Sequence, residues 1–273
     1  MNTEQEQEYV LGTHDAELTR LGLQHRLWSA AAYELWERAG FRPGQTILDL
    51  GCGPGYATMD LAQLVGPTGK VIAADVSRRF LDHLEAQARA QDRPNIETRL
   101  CDLQQLDLPP ASLDGAYNRW VLCFLKDPER VVARVAAALR PGGVFAVQDY
   151  FNYVALTLAP RGPALERVVR AVDDSWRRSG GDSDFVARLP GMMARHSLHV
   201  REIRPILRVA RPGSLLWQWP TTFFMNFVPK LVAEGYLTPA EQAAFEQEWR
   251  ERSNDPHSFF ATPPVFEVIA VKN

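Results

Sequence analysis

The residues of this chain best suited to chemistry cluster around Gly51-Cys52-Gly53-Pro54-Gly55. Glycines at alternate positions let a backbone turn approach a bound ligand closely, because no Cβ atoms stand between them. An apolar run, Ile47-Leu48-Asp49-Leu50, leads into the turn and places it between a strand and the following helix. A pyrophosphate-binding turn of the GxGxxG type needs a third glycine at position 56, where this chain has Tyr56. Pro54 also removes an amide donor that a phosphate would use, so the loop suits a ligand without phosphate. Two carboxylates, Asp75 and Asp102, each end a later apolar run. Candidate proton acceptors are Asp149, Tyr150 and Tyr153 after a further run, with His14 and His25 near the N-terminus. His196 and His199 have no third ligand nearby, and Cys52, Cys101 and Cys123 show no CxxC spacing, so no metal centre and no disulfide framework is expected.

These residues need a scaffold, and the hydropathy pattern supplies one. Residues 15–39 carry apolar positions at helical spacing and predict one or two amphipathic helices before the first strand. Strands are expected at 46–50, 70–75, 96–100, 114–121 and 143–149, with helices at 57–65, from Ser77 onward, and at 128–139. Strands alternating with helices imply right-handed crossovers and a parallel sheet covered on both faces, with Asp49, Asp75 and Asp102 at one edge. Beyond residue 160 the pattern predicts helices at 161–179, 185–196 and 239–252, strands at 199–209 and 264–271, and an aromatic-rich segment at 215–227. The expectation is one sheet, with extra helices inserted between its late strands.

Composition narrows the function classes. The 273 residues carry 30 Lys and Arg against 33 Asp and Glu, so no global positive field draws the chain to nucleic acid. No run approaches the roughly 18 apolar residues of a membrane span. The acidic N-terminus, Asn2-Thr3-Glu4-Gln5-Glu6, lacks the basic and apolar regions of a secretory signal, and a cytoplasmic location is expected.

Asp49-Leu50-Gly51-Cys52-Gly53-Pro54-Gly55 resembles the first signature motif of class I S-adenosylmethionine (SAM)-dependent methyltransferases, acidic-x-G-x-G-x-G, and Arg140-Pro141-Gly142-Gly143 resembles their LRPGG turn. The resemblance implies a Rossmann-like α/β fold with a mostly parallel seven-stranded sheet, helices on both faces, N-terminal helices and a helical cap between late strands. It divides the chain into a lid segment at 1–40, a SAM-binding core at 41–150, and core strands with acceptor-binding insertions at 151–273. It further implies that Asp75 accepts hydrogen bonds from the ribose hydroxyls and Asp102 from the adenine amino group, flanked by Val76, Cys101 and Leu103. Asp49, Gly51, Cys52, Gly53 and Gly55 would form the cofactor loop, the backbone carbonyl at Asn118 would meet the methionine amino group, and Arg20 or Gln24 of a lid over Tyr9–Trp28 would meet the carboxylate.

The implied reaction moves a methyl group from SAM to an O, N or C atom of a small, partly aromatic acceptor and leaves S-adenosylhomocysteine (SAH). In-line displacement chiefly requires the acceptor atom about 3–3.5 Å from the methyl group and water excluded. Asp149, Tyr153 and His25 are the expected bases where one is needed. Phe151, Tyr153, Trp217, Trp219, Phe223, Phe224 and Phe227 are expected to line the acceptor pocket. Asn118-Arg119-Trp120 stands where base-modifying amino-methyltransferases carry an (Asp/Asn/Ser)-Pro-Pro-aromatic motif, so a small metabolite, as in bacterial secondary metabolism, fits better than a nucleic acid or a membrane. A monomer or homodimer is expected. A SAM-fold protein diverted to another reaction such as cyclisation, and a SAM-binding protein without turnover, are the competing readings.

Overall fold

The computed structural model describes residues 15–273. The chain runs α1 (Asp15–Ala39), β1 (Thr46–Leu50), α2 (Tyr56–Val65), β2 (Lys70–Asp75), α3 (Arg78–Ala90), β3 (Ile96–Leu100), β4 (Leu113–Arg119), α4 (Pro128–Ala138) and β5 (Leu139–Tyr150). It continues with β6 (Thr157–Ala159), α5 (Pro163–Arg178), α6 (Leu189–Arg195), β7 (Leu198–Ile206), β8 (Val209–Ala210), α7 (Gln218–Ala233), α8 (Pro239–Asn254), β9 (Phe259–Ala261) and β10 (Val265–Lys272). Tyr9–Gly12 and His14, part of the expected lid, lie outside the described residues.

Seven strands form one sheet in the order β3-β2-β1-β4-β5-β10-β7. Strands β1 to β5 are mutually parallel, and β10 runs antiparallel to both β5 and β7. Parallel strands buried on both faces read as nearly continuous apolar runs, which is why β1 and β2 were legible. Their register, Leu50 beside Ala74 and Asn118, aligns the carboxyl ends of β1, β2 and β4, so the glycine turn, Asp75 and Arg119 leave the sheet at one edge. Ser77 starts α3 as foreseen, its hydroxyl accepting from the Phe80 amide at 3.3 Å.

The second half departs from expectation in three places. The predicted strand at 199–209 divides: β7 ends at Ile206, and Val209–Ala210 leaves to pair with β9 in a separate three-stranded sheet, β6-β9-β8. Pro205, which has no amide to donate, is tolerated because β7 is the outer strand of the larger sheet. The predicted helix at 185–196 is a short turn, Phe185–Ala187, followed by α6, with Pro190 in the first turn where a missing amide costs least. The aromatic-rich segment becomes the 16-residue helix α7, which meets α1 and α8 above the carboxyl edge.

Candidate functional site

A cavity opens at the carboxyl edge of the sheet, with walls drawn from α1, the glycine turn, the ends of β2, β4 and β5, and α7. At one end lie Asp49, Gly51, Cys52, Gly53, Asp75 and Asp102. All three turn glycines have positive φ: 61° at Gly51, 55° at Gly53 and 84° at Gly55. Their surroundings separate their roles. A Cβ on Gly51 would stand 2.5 Å from Val121, and one on Gly55 would stand 2.3 Å from Leu84, so both are pressed against protein. A Cβ on Gly53 would meet nothing within 4 Å, although that residue forms the cavity wall. Gly53 is therefore the position where the backbone is bare toward a ligand.

Asp75 fixes this turn from below. Its carboxylate accepts from the Gly53 and Ser77 amides, each at 2.8 Å, and burial pushes its pKa up against those bonds. The Val76 amide also bonds this carboxylate, which keeps lone-pair capacity toward the cavity for a ligand hydroxyl. Asp102 accepts from the Gln104 amide at 2.9 Å, starting a short helical turn that carries Leu103 to the cavity. Val76 also lines it, whereas Gly55 and Cys101 do not. Gly55 instead caps α2, and the Cys101 amide donates to the Asp75 carbonyl at 3.0 Å.

Asp49 was expected within the cofactor loop. Its carboxylate instead accepts from the Thr58 hydroxyl at 2.6 Å, and burial raises its pKa to about 7 although Arg119 draws it down. Arg119 reaches the cavity from the end of β4, and its Nη2 donates to His25 Nδ1 at 3.2 Å. A guanidinium can only donate, so Nδ1 accepts and Nε2 carries the proton, which it gives to Asp60 at 2.8 Å. Both nitrogens of His25 are engaged, which removes it as a ready base. Arg119 Nη1 is buried without a partner beside the glycine turn.

The expected carboxylate partners from α1 are placed differently. Arg20 and Gln24 do face the cavity, but Arg20 lies in a buried ion pair with Glu17 at 2.6 Å. Gln24 Oε1 accepts from Arg20 at 3.1 Å and from the Trp219 indole at 3.0 Å, joining α1 to α7. Tyr56, standing where a dinucleotide turn has glycine, donates to the Leu18 carbonyl at 3.2 Å and ties α2 to α1.

Toward the other end the cavity is aromatic. Trp219, Trp120, Tyr150 and Trp176 form a column of offset rings with successive centroids 5.9, 5.8 and 5.8 Å apart. Tyr153, Phe223 and Phe224 complete much of the wall. Trp217 and Phe227, expected there, belong to the core: Trp217 stacks on Trp249 at 5.0 Å and its indole donates to Ser253. Phe151 packs on Phe266 instead.

Two expected bases are corrected. Asp149 lies fully buried beneath the cavity, where it accepts from the Tyr150 amide at 2.9 Å and from the Cys123 amide and Asn118 side chain at 3.3 Å, so it organises the strand ends and does not face an acceptor. The Asn118 side chain is occupied in the same cluster and stays behind the wall. Tyr153 does line the cavity, but burial raises its phenol pKa, so it remains neutral and makes a poor base. Sequence reasoning missed Trp120, Trp176 and the anchoring of Arg119. Trp120 follows the last residue of β4 and has φ 54°, an unusual backbone for so large a side chain; its position after a strand's carboxyl end was the available signal. Trp176 sits inside a charged helix and offered none.

Residues 47–143 match the family model described as a methyltransferase domain. The chain is 40% identical over 231 residues to an uncharacterized 37.1 kDa protein in transposon TN4556 of Streptomyces fradiae, covering 84% of this chain and 63% of that protein. It is 30% identical over 148 residues to a demethylmenaquinone methyltransferase of Symbiobacterium thermophilum, covering 52% of this chain and 59% of that enzyme. The chain thus spans about three fifths of the length of these relatives. Among solved structures, the 4+2 cyclase SpnF shares the fold with a TM-score of 0.59 at 17% identity, over 89% of this chain and 80% of that one.

Proposed function

The chain belongs to the class I SAM-dependent methyltransferase family of small-molecule type, and from that premise we propose that it transfers the methyl group of SAM to a small, partly aromatic acceptor. The observation that carries this reading is the continuity of one cavity from the glycine turn and Asp75 into the aromatic wall of Trp120, Tyr150 and Trp219. Such a cavity has room for a cofactor at its polar end and an apolar partner beyond the methyl group. The donor set fits SAM: Asp75 takes the ribose hydroxyls, Asp102 the adenine amino group, and Val76 and Leu103 flank the ring. The bare backbone at Gly53 receives the methionine portion. Arg119, which lines the cavity from the end of β4, supplies the positive charge for the carboxylate in place of the paired Arg20.

No side chain is assigned as a base. The chain's residues act by orienting the acceptor and excluding water, the terms that dominate an in-line displacement. The described part of the lid segment, α1, is tied to the glycine-turn end through Leu18 and Tyr56 and to the aromatic end through Gln24 and Trp219. Among the described residues no helix is long and apolar enough to cross a membrane.

Calorimetry with SAM and SAH tests the reading. Micromolar binding is expected, and Asp75→Ala should weaken it by at least about a hundredfold, since two hydrogen bonds to a charged acceptor are lost at about 1.5–3 kcal/mol each. A wild-type protein that binds neither compound, or an Asp75→Ala protein with undiminished affinity, overturns the assignment. Release of SAH in the presence of an acceptor then separates turnover from binding.

A further inference from the structure

Tyr150 and Tyr153 stand at the end of β5 and in the turn after it, their rings 5.1 Å apart and nearly perpendicular. The two residues are 7% and 3% exposed, and both line the aromatic end of the cavity. Neither hydroxyl has a hydrogen-bond partner among the described residues. Neither is sealed in the packed interior either, unlike the indole nitrogens of Trp120 and Trp176. Two buried phenol groups thus meet the cavity with their hydrogen-bonding capacity unspent, and a buried polar group left unmatched is costly unless a ligand or water completes it.

The surroundings decide what that ligand atom is. The carboxylates on the cavity wall, Asp49, Asp75 and Asp102, all lie at the glycine-turn end, and the two nearest the phenols, Asp149 and Asp173, do not line the cavity, so no carboxylate at this end of the wall meets a bound ammonium. The field at the hydroxyls is mixed, Arg20 acting against Asp149 at Tyr150 and against Asp173 at Tyr153, so the phenol hydrogens decide: an electron-rich oxygen accepts them, whereas an ammonium has no lone pair to do so. The geometry points to Tyr150 and Tyr153 as paired hydrogen-bond donors for one oxygen of the acceptor. The acceptor class is accordingly an apolar ring compound bearing a carbonyl or enolate oxygen, not an amine. This rests on the methyltransferase reading above, and gives that reading's acceptor a chemical class. Burial keeps both phenols protonated, so they donate throughout the working pH range and act as specificity-determining contacts, not bases.

The test uses three probes of one ring shape: 1-tetralone, which carries a carbonyl, tetralin, which has no polar atom, and 1-aminotetralin, which is a cation at neutral pH. Each is titrated into the SAH-loaded full-length protein by saturation-transfer NMR. The wild-type protein should prefer 1-tetralone to both others. Tyr150→Phe and Tyr153→Phe retain the rings of the aromatic column, and each should weaken 1-tetralone about threefold to tenfold while leaving tetralin unchanged. The inference is overturned by any of three results: no preference for 1-tetralone over tetralin, tighter binding of 1-aminotetralin, or Tyr→Phe variants that keep 1-tetralone affinity or weaken both neutral probes alike. Calorimetry of SAH on the same samples separates the two levels. Intact SAH binding without a preference for the ketone defeats only this acceptor class, whereas absent SAH binding by the wild type defeats the underlying reading.

Discussion

Replacing each turn glycine by alanine should split cofactor binding from folding. A non-glycine residue in the left-handed region costs about 1–2 kcal/mol, and that charge falls on Gly51→Ala, Gly53→Ala and Gly55→Ala alike because all three φ values are positive. At Gly53 nothing is added, since the new methyl group meets no protein atom within 4 Å. At Gly51 and Gly55 the new methyl would lie 2.5 Å from Val121 and 2.3 Å from Leu84, and overpacking of this kind adds roughly 1–3 kcal/mol. For a chain of this size 1 kcal/mol shifts Tm by about 2–4 °C. Gly53→Ala should therefore melt only about 2–8 °C below wild type, and the other two about 4–20 °C below. The binding order is the reverse: the Gly53 methyl occupies the space the cofactor needs, so Gly53→Ala should lose most of the thermal shift that saturating SAH gives the wild type. Scanning calorimetry of the four proteins with and without SAH measures both quantities. A Gly53→Ala protein with the full SAH-induced shift would refute the assignment of the bare backbone to the ligand. A Gly55→Ala protein as stable as Gly53→Ala would refute the division of roles.

Asp49 supplies a pH signature. Its folded pKa of about 7 lies above the ordinary carboxylate value, so the folded state holds a proton that the unfolded chain has already released between those values. Its stabilising contribution is present at acid pH and is lost as pH rises through 7, and Asp49→Asn should flatten this part of the Tm–pH profile; an unchanged slope between pH 4 and 7 would show Asp49 to be ionised throughout. The two neighbouring tryptophans should also separate. Trp217→Phe, which loses the indole bond to Ser253 within the core, should lower Tm with little change in acceptor KM. Trp219→Phe, at the cavity wall, should raise acceptor KM while SAH affinity stays within about threefold, as kinetics and calorimetry would reveal.

What was legible in the sequence was local. The glycine turn, Asp75, Asp102 and the Ser77 cap are each announced by a few neighbouring residues, since a strand end, a positive-φ turn and an N-cap are short-range devices. Where a side chain is spent depends on partners far along the chain. Arg20 and Arg119 are both basic residues near the cavity, yet Arg20 finds Glu17 one helical turn away, while Arg119 reaches His25 across 94 positions and keeps one nitrogen unpartnered. Composition cannot tell such a pair apart, nor can it tell Trp219 at the wall from Trp217 in the core, because both are aromatic residues of one segment and differ only in what α8 and α1 bring against them. The same reasoning explains Asp149. Its place after the fifth strand suited a base, but the amides of Tyr150 and Cys123 and the side chain of Asn118 converge on its carboxylate from three segments. With that carboxylate turned inward and both phenols protonated, the proposed transfer leaves the chemistry to the cofactor's own leaving group, and assigns to the protein the shape and dryness of the space in which the acceptor meets it.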